Sequence, residues 1–173
     1  MSEKILLGIK KETDESENRI SIVPKDTKTL VNLGIDVLIE KNAGLKSGYP
    51  DNEYIDHGVR VVDKLPKETT IVTSVNAFHN ADSNFIKNAH IVSISDITTN
   101  AQTATICTNN NLSLFAMELV PRIARAQKMD VLSSQASIAG YRAGLMAATS
   151  LKKHLPLMMT AAGTIPPASI LVL

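Results

Sequence analysis

Short runs of Ile, Val and Leu recur along the first part of the chain, at Ile5 to Ile9, Val37 to Ile39, Val59 to Val62, Ile71 to Val75, Ile91 to Ile94 and Leu112 to Met117. Continuous apolar runs of this length predict strands buried on both faces. Between the first two lies Pro24 to Gly34. Proline suits the first turn of a helix and glycine the position just past its end, so this segment predicts a well-bracketed helix. Asp51 to Gly58, Asp82 to Asn88 and Gln102 to Asn110 predict shorter helices. Strand and helix thus alternate over residues 1–118, the pattern of an α/β protein with a doubly wound, flavodoxin- or Rossmann-like parallel sheet.

From Met129 the pattern changes. Ala136, Ala139, Gly140, Ala143, Gly144, Ala147 and Ala148 place small side chains at helical spacing, which predicts a long connecting helix over Met129 to Lys153. Two helix-interior glycines cost roughly 1 kcal/mol each relative to alanine, and close approach to a neighbour is the expected compensation. Beyond it, Leu155 to Ala161, Pro166 and Pro167 predict a loop, and Ser169 to Leu173 a strand. The organisation expected is an N-terminal α/β domain over 1–128, a connecting helix over 129–154, and the start of a dinucleotide-binding domain over 155–173.

Charge and composition narrow the function. With 18 basic against 17 acidic residues there is no field to gather nucleic acid or an anionic membrane, and no nucleic-acid partner is expected. The apolar runs are short, and the one near the C-terminus is broken by Pro166 and Pro167, so no segment is expected to span a membrane. The absence of a leader-like N-terminus and the single Cys107 point to a reduced, cytoplasmic setting. Aromatics are 3% of the residues, so the core must be aliphatic and stacking platforms are not expected. His57, His79, His90 and His154 show no metal-ligand spacing, and no metal is expected. Met117, Met129, Met146, Met158 and Met159 read as fillers of irregular apolar gaps in and near the inter-domain region.

The stretch Glu118 to Gly163, ELVPRIARAQKMDVLSSQASIAGYRAGLMAATSLKKHLPLMMTAAG, is followed by TIPPASILVL. It resembles the alpha subunits of proton-translocating NAD(P) transhydrogenases, within the alanine dehydrogenase/transhydrogenase superfamily. Lys11, Glu12, Glu17, Asn18, Arg19, Pro24, Gly34, Ala43 and Gly44 match the N-terminal pattern that this family shares with alanine dehydrogenases. In such relatives the last strand leads into a GxGxxG loop that brings backbone amides to the cofactor pyrophosphate. The chain reaches Leu173 without such a loop, so weak or no binding of NAD(H) is expected for it alone.

The resemblance implies hydride transfer between NAD(H) and NADP(H), coupled to proton translocation by membrane partners. Two nicotinamide rings must then be held face to face with water excluded, a task of positioning. It further implies that Arg122, Gln127, Asp130 and Ser133 lie beside the nicotinamide of NAD(H), with Gln127 reaching toward NADP(H) on a partner. Arg122 can donate to a carboxamide, Gln127 can donate and accept, and Asp130 can hold an arginine fork. From spacing alone, the same residues also read as an Arg122–Asp130 ion pair and an Asp130–Ser133 helix cap. The expected partners are the remaining alpha-subunit segment and a beta subunit, in a homodimeric assembly peripheral to the inner membrane.

Two other readings stand beside this one. An alanine-dehydrogenase-like oxidoreductase would grip a substrate carboxylate through Arg19 in the loop Lys10 to Arg19, where a solvated or structural loop is the alternative. That branch also implies a lysine after the fourth strand and a histidine after the fifth, whereas this chain has Ser74, Val75 and Asn76 at the first place and Asp96 near the second. A non-catalytic assembly module is the third, suggested by the small-residue helix.

Overall fold

The computed structural model of the chain describes residues 5–76 and 86–172. Two compact units divide it, one running to Met129 and one from Asp130 onward.

The first unit is a six-stranded sheet built from β1 (Leu6–Ile9), β2 (Asp36–Glu40), β3 (Arg60–Val62), β4 (Ile71–Thr73), β5 (His90–Ser93) and β6 (Ser113–Ala116). The order is β3-β2-β1-β4-β5-β6 and every pairing is parallel. Each of the six apolar runs over residues 1–118 therefore overlaps a strand. The order reverses between β1 and β4, which makes that gap the topological switch point, where ligands of open α/β sheets bind beyond the carboxyl ends of the strands.

Period-two alternation sorts the core into two clusters on opposite faces of the sheet. Leu7, Ile9, Val37 and Ile39 pack with Ala43, Tyr54 and Val59. Leu38, Val72 and Ile91 pack with Leu65, Ile86 and Ala89. Two-sided burial holds for the central strands only. The edge strand β6 alternates, and Phe115 on it is exposed, because an edge lacks the cover that central strands receive. The core is aliphatic except for Tyr54, the largest fully buried side chain, whose hydroxyl donates to the Ile22 carbonyl at 2.9 Å.

Helices follow the predicted punctuation. Helix α1 (Pro24–Asn32) opens on Pro24, and Gly34 behind it has φ +82°, a left-handed conformation that glycine adopts without strain. Helix α2 is shorter than predicted, Asp51–Ile55, with the remaining residues to Gly58 forming turns. Helix α3 (Ala101–Asn109) is capped by Asn100, whose side chain accepts from the Gln102 amide. The predicted helix at Asp82 to Asn88 lies largely outside the described residues, and Ile86 to Asn88 are not helical.

In the second unit the long helix is present as α4 (Val131–Ser150), twenty residues with none buried. A Cβ added at Gly140 or Gly144 would meet nothing within 4 Å, so neither glycine is required by close packing among the described residues. The end of the chain differs from the prediction. Met158–Thr160 (β7) and Gly163–Ile165 (β8) form an antiparallel hairpin, and residues 169–172 form no strand. A hairpin closes its own ladder, whereas a parallel strand needs a neighbouring strand, and no described strand pairs there. Met129, Met146, Met158 and Met159 are exposed in this chain, and the helix and hairpin that carry three of them have no buried residue.

Candidate functional site

Polar side chains gather at the carboxyl ends of the strands. Immediately after β1, Glu12 turns back across the switch point and accepts the backbone amides of Val75 at 2.6 Å and Asn76 at 3.3 Å, both just after β4. Burial raises the pKa of Glu12, and this outweighs the lowering effect of those two amides. Glu40, closing β2, accepts from the Lys11 amide at 2.9 Å and the Leu65 amide at 3.2 Å. Glu118, just past β6, accepts from the Ser95 amide at 3.1 Å, the Ser95 hydroxyl at 2.8 Å and the Ile97 amide at 3.3 Å. Burial pushes the Glu118 carboxyl up, yet the hydrogen bonds from backbone and from Ser95 prevail and its pKa is lowered.

Arg19 does not reach outward as a lone carboxylate receptor. Its guanidinium forks onto Glu17, with Nε to Oε1 at 2.8 Å and Nη2 to Oε2 at 2.6 Å, and Asn76 donates to the same carboxylate at 3.1 Å. The Arg19 hydrogen bonds push the Glu17 carboxyl down to about 2, against the opposing effect of burial. The loop bearing Lys11 and Arg19 is further tied to the turn at Leu45–Ser47, where Lys46 Nζ donates to the Glu15 carbonyl at 2.8 Å. Lys11 itself is exposed.

Of the residues that the sequence singles out, Arg122 and Gln127 belong to the end of the first unit. Both are exposed, on a segment of short 3₁₀ turns, Met117–Leu119 and Ala124–Met129. Between the two residues the backbone is held by the Ala126 amide donating to the Ile123 carbonyl at 2.9 Å, and Ala126 is buried. Asp130 and Ser133 open the second unit and are brought together: Asp130 caps α4 by accepting from the Ser133 amide at 2.9 Å and from its hydroxyl at 2.6 Å. Their cap role is thus visible in the geometry.

The glutamates were missed as site-forming residues. Their partners lie 21 to 64 positions away in sequence, and nothing local distinguishes such a carboxylate from a solvated one. Among the described residues no group of three or more His, Cys, Asp or Glu could hold a metal ion, and no helix is long and apolar enough to cross a membrane. His79 lies outside the described residues.

An all-parallel, doubly wound domain with hydrogen-bonded polar groups along the carboxyl ends of its strands has the architecture in which open α/β proteins place their ligand sites. Relatives make that class specific. The chain belongs to the alanine dehydrogenase/PNT N-terminal domain family, whose model matches residues 8–139. It is 36% identical over 170 residues to the NAD(P) transhydrogenase subunit alpha of Cereibacter sphaeroides, covering 96% of this chain and 32% of that protein. It is 34% identical over 171 residues to the NAD(P) transhydrogenase subunit alpha of Haemophilus influenzae, covering 98% and 33%. A crystal structure of transhydrogenase from Sinorhizobium meliloti superposes with a TM-score of 0.90 at 41% identity, over 94% of this chain and 50% of that one. The chain therefore spans from 32% to 50% of the length of these relatives.

Proposed function

We propose that the chain forms the N-terminal portion of an NAD(P) transhydrogenase alpha subunit and braces the nicotinamide of NAD(H) for hydride transfer to NADP(H) held by a partner beta subunit. The observation that carries this reading is the exposed Arg122–Gln127 segment, held from below by buried Ala126, in a chain matched almost throughout by transhydrogenase alpha subunits. The donor set fits a nicotinamide amide: Arg122 offers N–H groups to its carbonyl oxygen, and Gln127 can accept from its NH₂ while donating across to the second ring. The bound dihydronicotinamide supplies the hydride. No proton-transferring group is required of this chain, and its residues act by holding and orienting.

Asp130 and Ser133 complete the nicotinamide side in this reading, the first fixing the start of α4 and the second presenting a hydroxyl. Pyrophosphate and ribose binding belong to the remaining alpha-subunit segment, into which residues 155–173 lead. Residues 129–154 act as the connecting helix, and its exposed Ile138, Tyr141 and Met146 supply apolar surface for a homodimer. Proton translocation resides in membrane partners, with this chain on their cytoplasmic side. The competing dehydrogenase reading is disfavoured by Arg19, whose guanidinium already forks onto Glu17.

The test is complementation. The chain, joined by the dinucleotide-binding segment of an alpha subunit and a beta subunit, should reduce an NADP analogue from NADH. Arg122→Ala and Gln127→Ala should each slow this about a hundredfold, the scale of a lost orienting contact. A double variant with the normal rate would remove the reading.

A further inference from the structure

The three glutamates form a series. Glu40 ties the end of β2 to the second residue after β1, Glu12 ties the segment after β1 to that after β4, and Glu118 ties the end of β6 to the segment after β5. The Ile94 amide donates to the Val75 carbonyl at 3.0 Å and links the second clamp to the third. The carboxyl edge from β2 to β6 is thereby one connected set of hydrogen bonds. Glu118 is its last member, and four residues later the chain reaches Arg122.

We propose that Glu118 is a positioning residue for Arg122 and Gln127, fixing the origin of the segment that presents them; this rests on the nicotinamide-bracing reading of those two side chains. A segment made only of short 3₁₀ turns takes its direction from its fixed points. One fixed point is buried Ala126. The other is Glu118, whose three accepted bonds come from two backbone amides and a fully buried hydroxyl, Ser95. The Ser95 hydroxyl bond is short, and the two longer amide bonds reach the carboxylate from different residues, so the three together restrict both its place and its orientation. Between the two points the chain has little freedom: Pro121 restricts its own φ, the Val120 amide donates to the Met117 carbonyl at 3.4 Å, and the Ile123 amide to the Pro121 carbonyl at 2.9 Å. Glu118 touches no cofactor in this scheme and acts through Arg122 and Gln127.

A double-mutant cycle in the complemented enzyme tests this, with NADH-dependent reduction of an NADP analogue as the rate and urea unfolding of each variant as the control for folding. Glu118→Ala is expected to lower kcat/KM about tenfold. Glu118→Gln, which keeps an accepting oxygen, should recover most of that loss, and Ser95→Ala should lower the rate in the same direction by less. In an Arg122→Ala, Gln127→Ala background, Glu118→Ala should change the rate by less than about twofold, because residues acting as a unit are not additive. A normal rate in Glu118→Ala, or the same tenfold loss whether or not Arg122 and Gln127 are present, would overturn the inference. A normal rate in the Arg122, Gln127 double variant would instead overturn the function proposed for those residues. If Glu118→Ala fails to fold, the Ser95→Ala arm of the same cycle decides: its effect must vanish in that background or the inference falls.

Discussion

Replacing Glu17 by glutamine removes the charge from the Arg19 fork while keeping the side chain's shape. A carboxyl held at about 2 in the folded chain against 4.5 unfolded would contribute at most ~3 kcal/mol at neutral pH. The Arg19 side chain is 46% exposed, so solvent screening brings the expected contribution to ~1–2 kcal/mol. Because the folded value lies below the unfolded one, the stabilisation is fully present above pH 4.5 and is lost as pH falls toward 2. Glu12 has the opposite sign. Its raised pKa makes its ionised form less favourable in the folded state, so its contribution improves as pH falls through the folded value toward 4.5. Wild-type stability alone therefore mixes the two, and the difference between wild type and Glu17→Gln reports chiefly the Arg19 fork, with a smaller part from the Asn76 bond and from the repulsion Glu17 exerts on Glu12. Urea unfolding followed by far-ultraviolet circular dichroism, from about pH 7 to about pH 3, measures that difference; most of it should be gone by about pH 3. A difference unchanged over that range would show that Glu17 acts through packing and not charge, and no difference at neutral pH would show that the fork is merely a surface pair.

Two further outcomes follow from local geometry. A Cβ at Gly44 would lie 2.7 Å from the Tyr49 carbonyl oxygen and 2.8 Å from Tyr54 Cε2, whereas one at Gly8 would meet the Leu65 methyls at 2.7 Å. A backbone oxygen yields less readily than a side-chain end, so Gly44→Ala should cost about 2 kcal/mol or more and Gly8→Ala about half that in urea unfolding, and the reverse order would refute the argument. Asp130→Ala removes the cap of α4 and should destabilise that helix by ~1 kcal/mol, with Asp130→Asn retaining most of it; equal helical dichroism and thermal unfolding in Asp130→Ala and wild type would contradict the cap.

The strands and the main helix of the sheet were legible because each is specified locally. Val37 to Ile39 and Ile71 to Thr73 are apolar or β-branched without interruption, and Pro24 with Gly34 brackets α1. The site was legible only in part. Arg122, Gln127, Asp130 and Ser133 stand out through resemblance, and the Asp130–Ser133 cap through spacing. Glu40 and Glu118 did not, and Glu12 stood out only as part of the shared N-terminal pattern with no contact assigned to it, since a carboxylate that accepts amides from a neighbouring strand end looks in sequence like any loop glutamate. Tyr54 was hidden for a similar reason: in Asp51–Ile55 it sits among charged residues, and only the sheet beside it makes its position a core. The hairpin of Met158–Thr160 and Gly163–Ile165 escaped because its two strands are three residues each, too short for a periodic signal.

Burial of Tyr54 has a practical consequence. The chain has no tryptophan and three tyrosines, of which Tyr54 is shielded in the first unit and Tyr141 lies open on the helix of the second. Intrinsic fluorescence therefore comes from two emitters with opposite access to a dissolved quencher such as acrylamide, together with half-buried Tyr49 of the first unit. As the sheet melts, the shielded fraction should become quenchable while the helical fraction stays unchanged, giving an unlabelled optical readout of when the first unit opens.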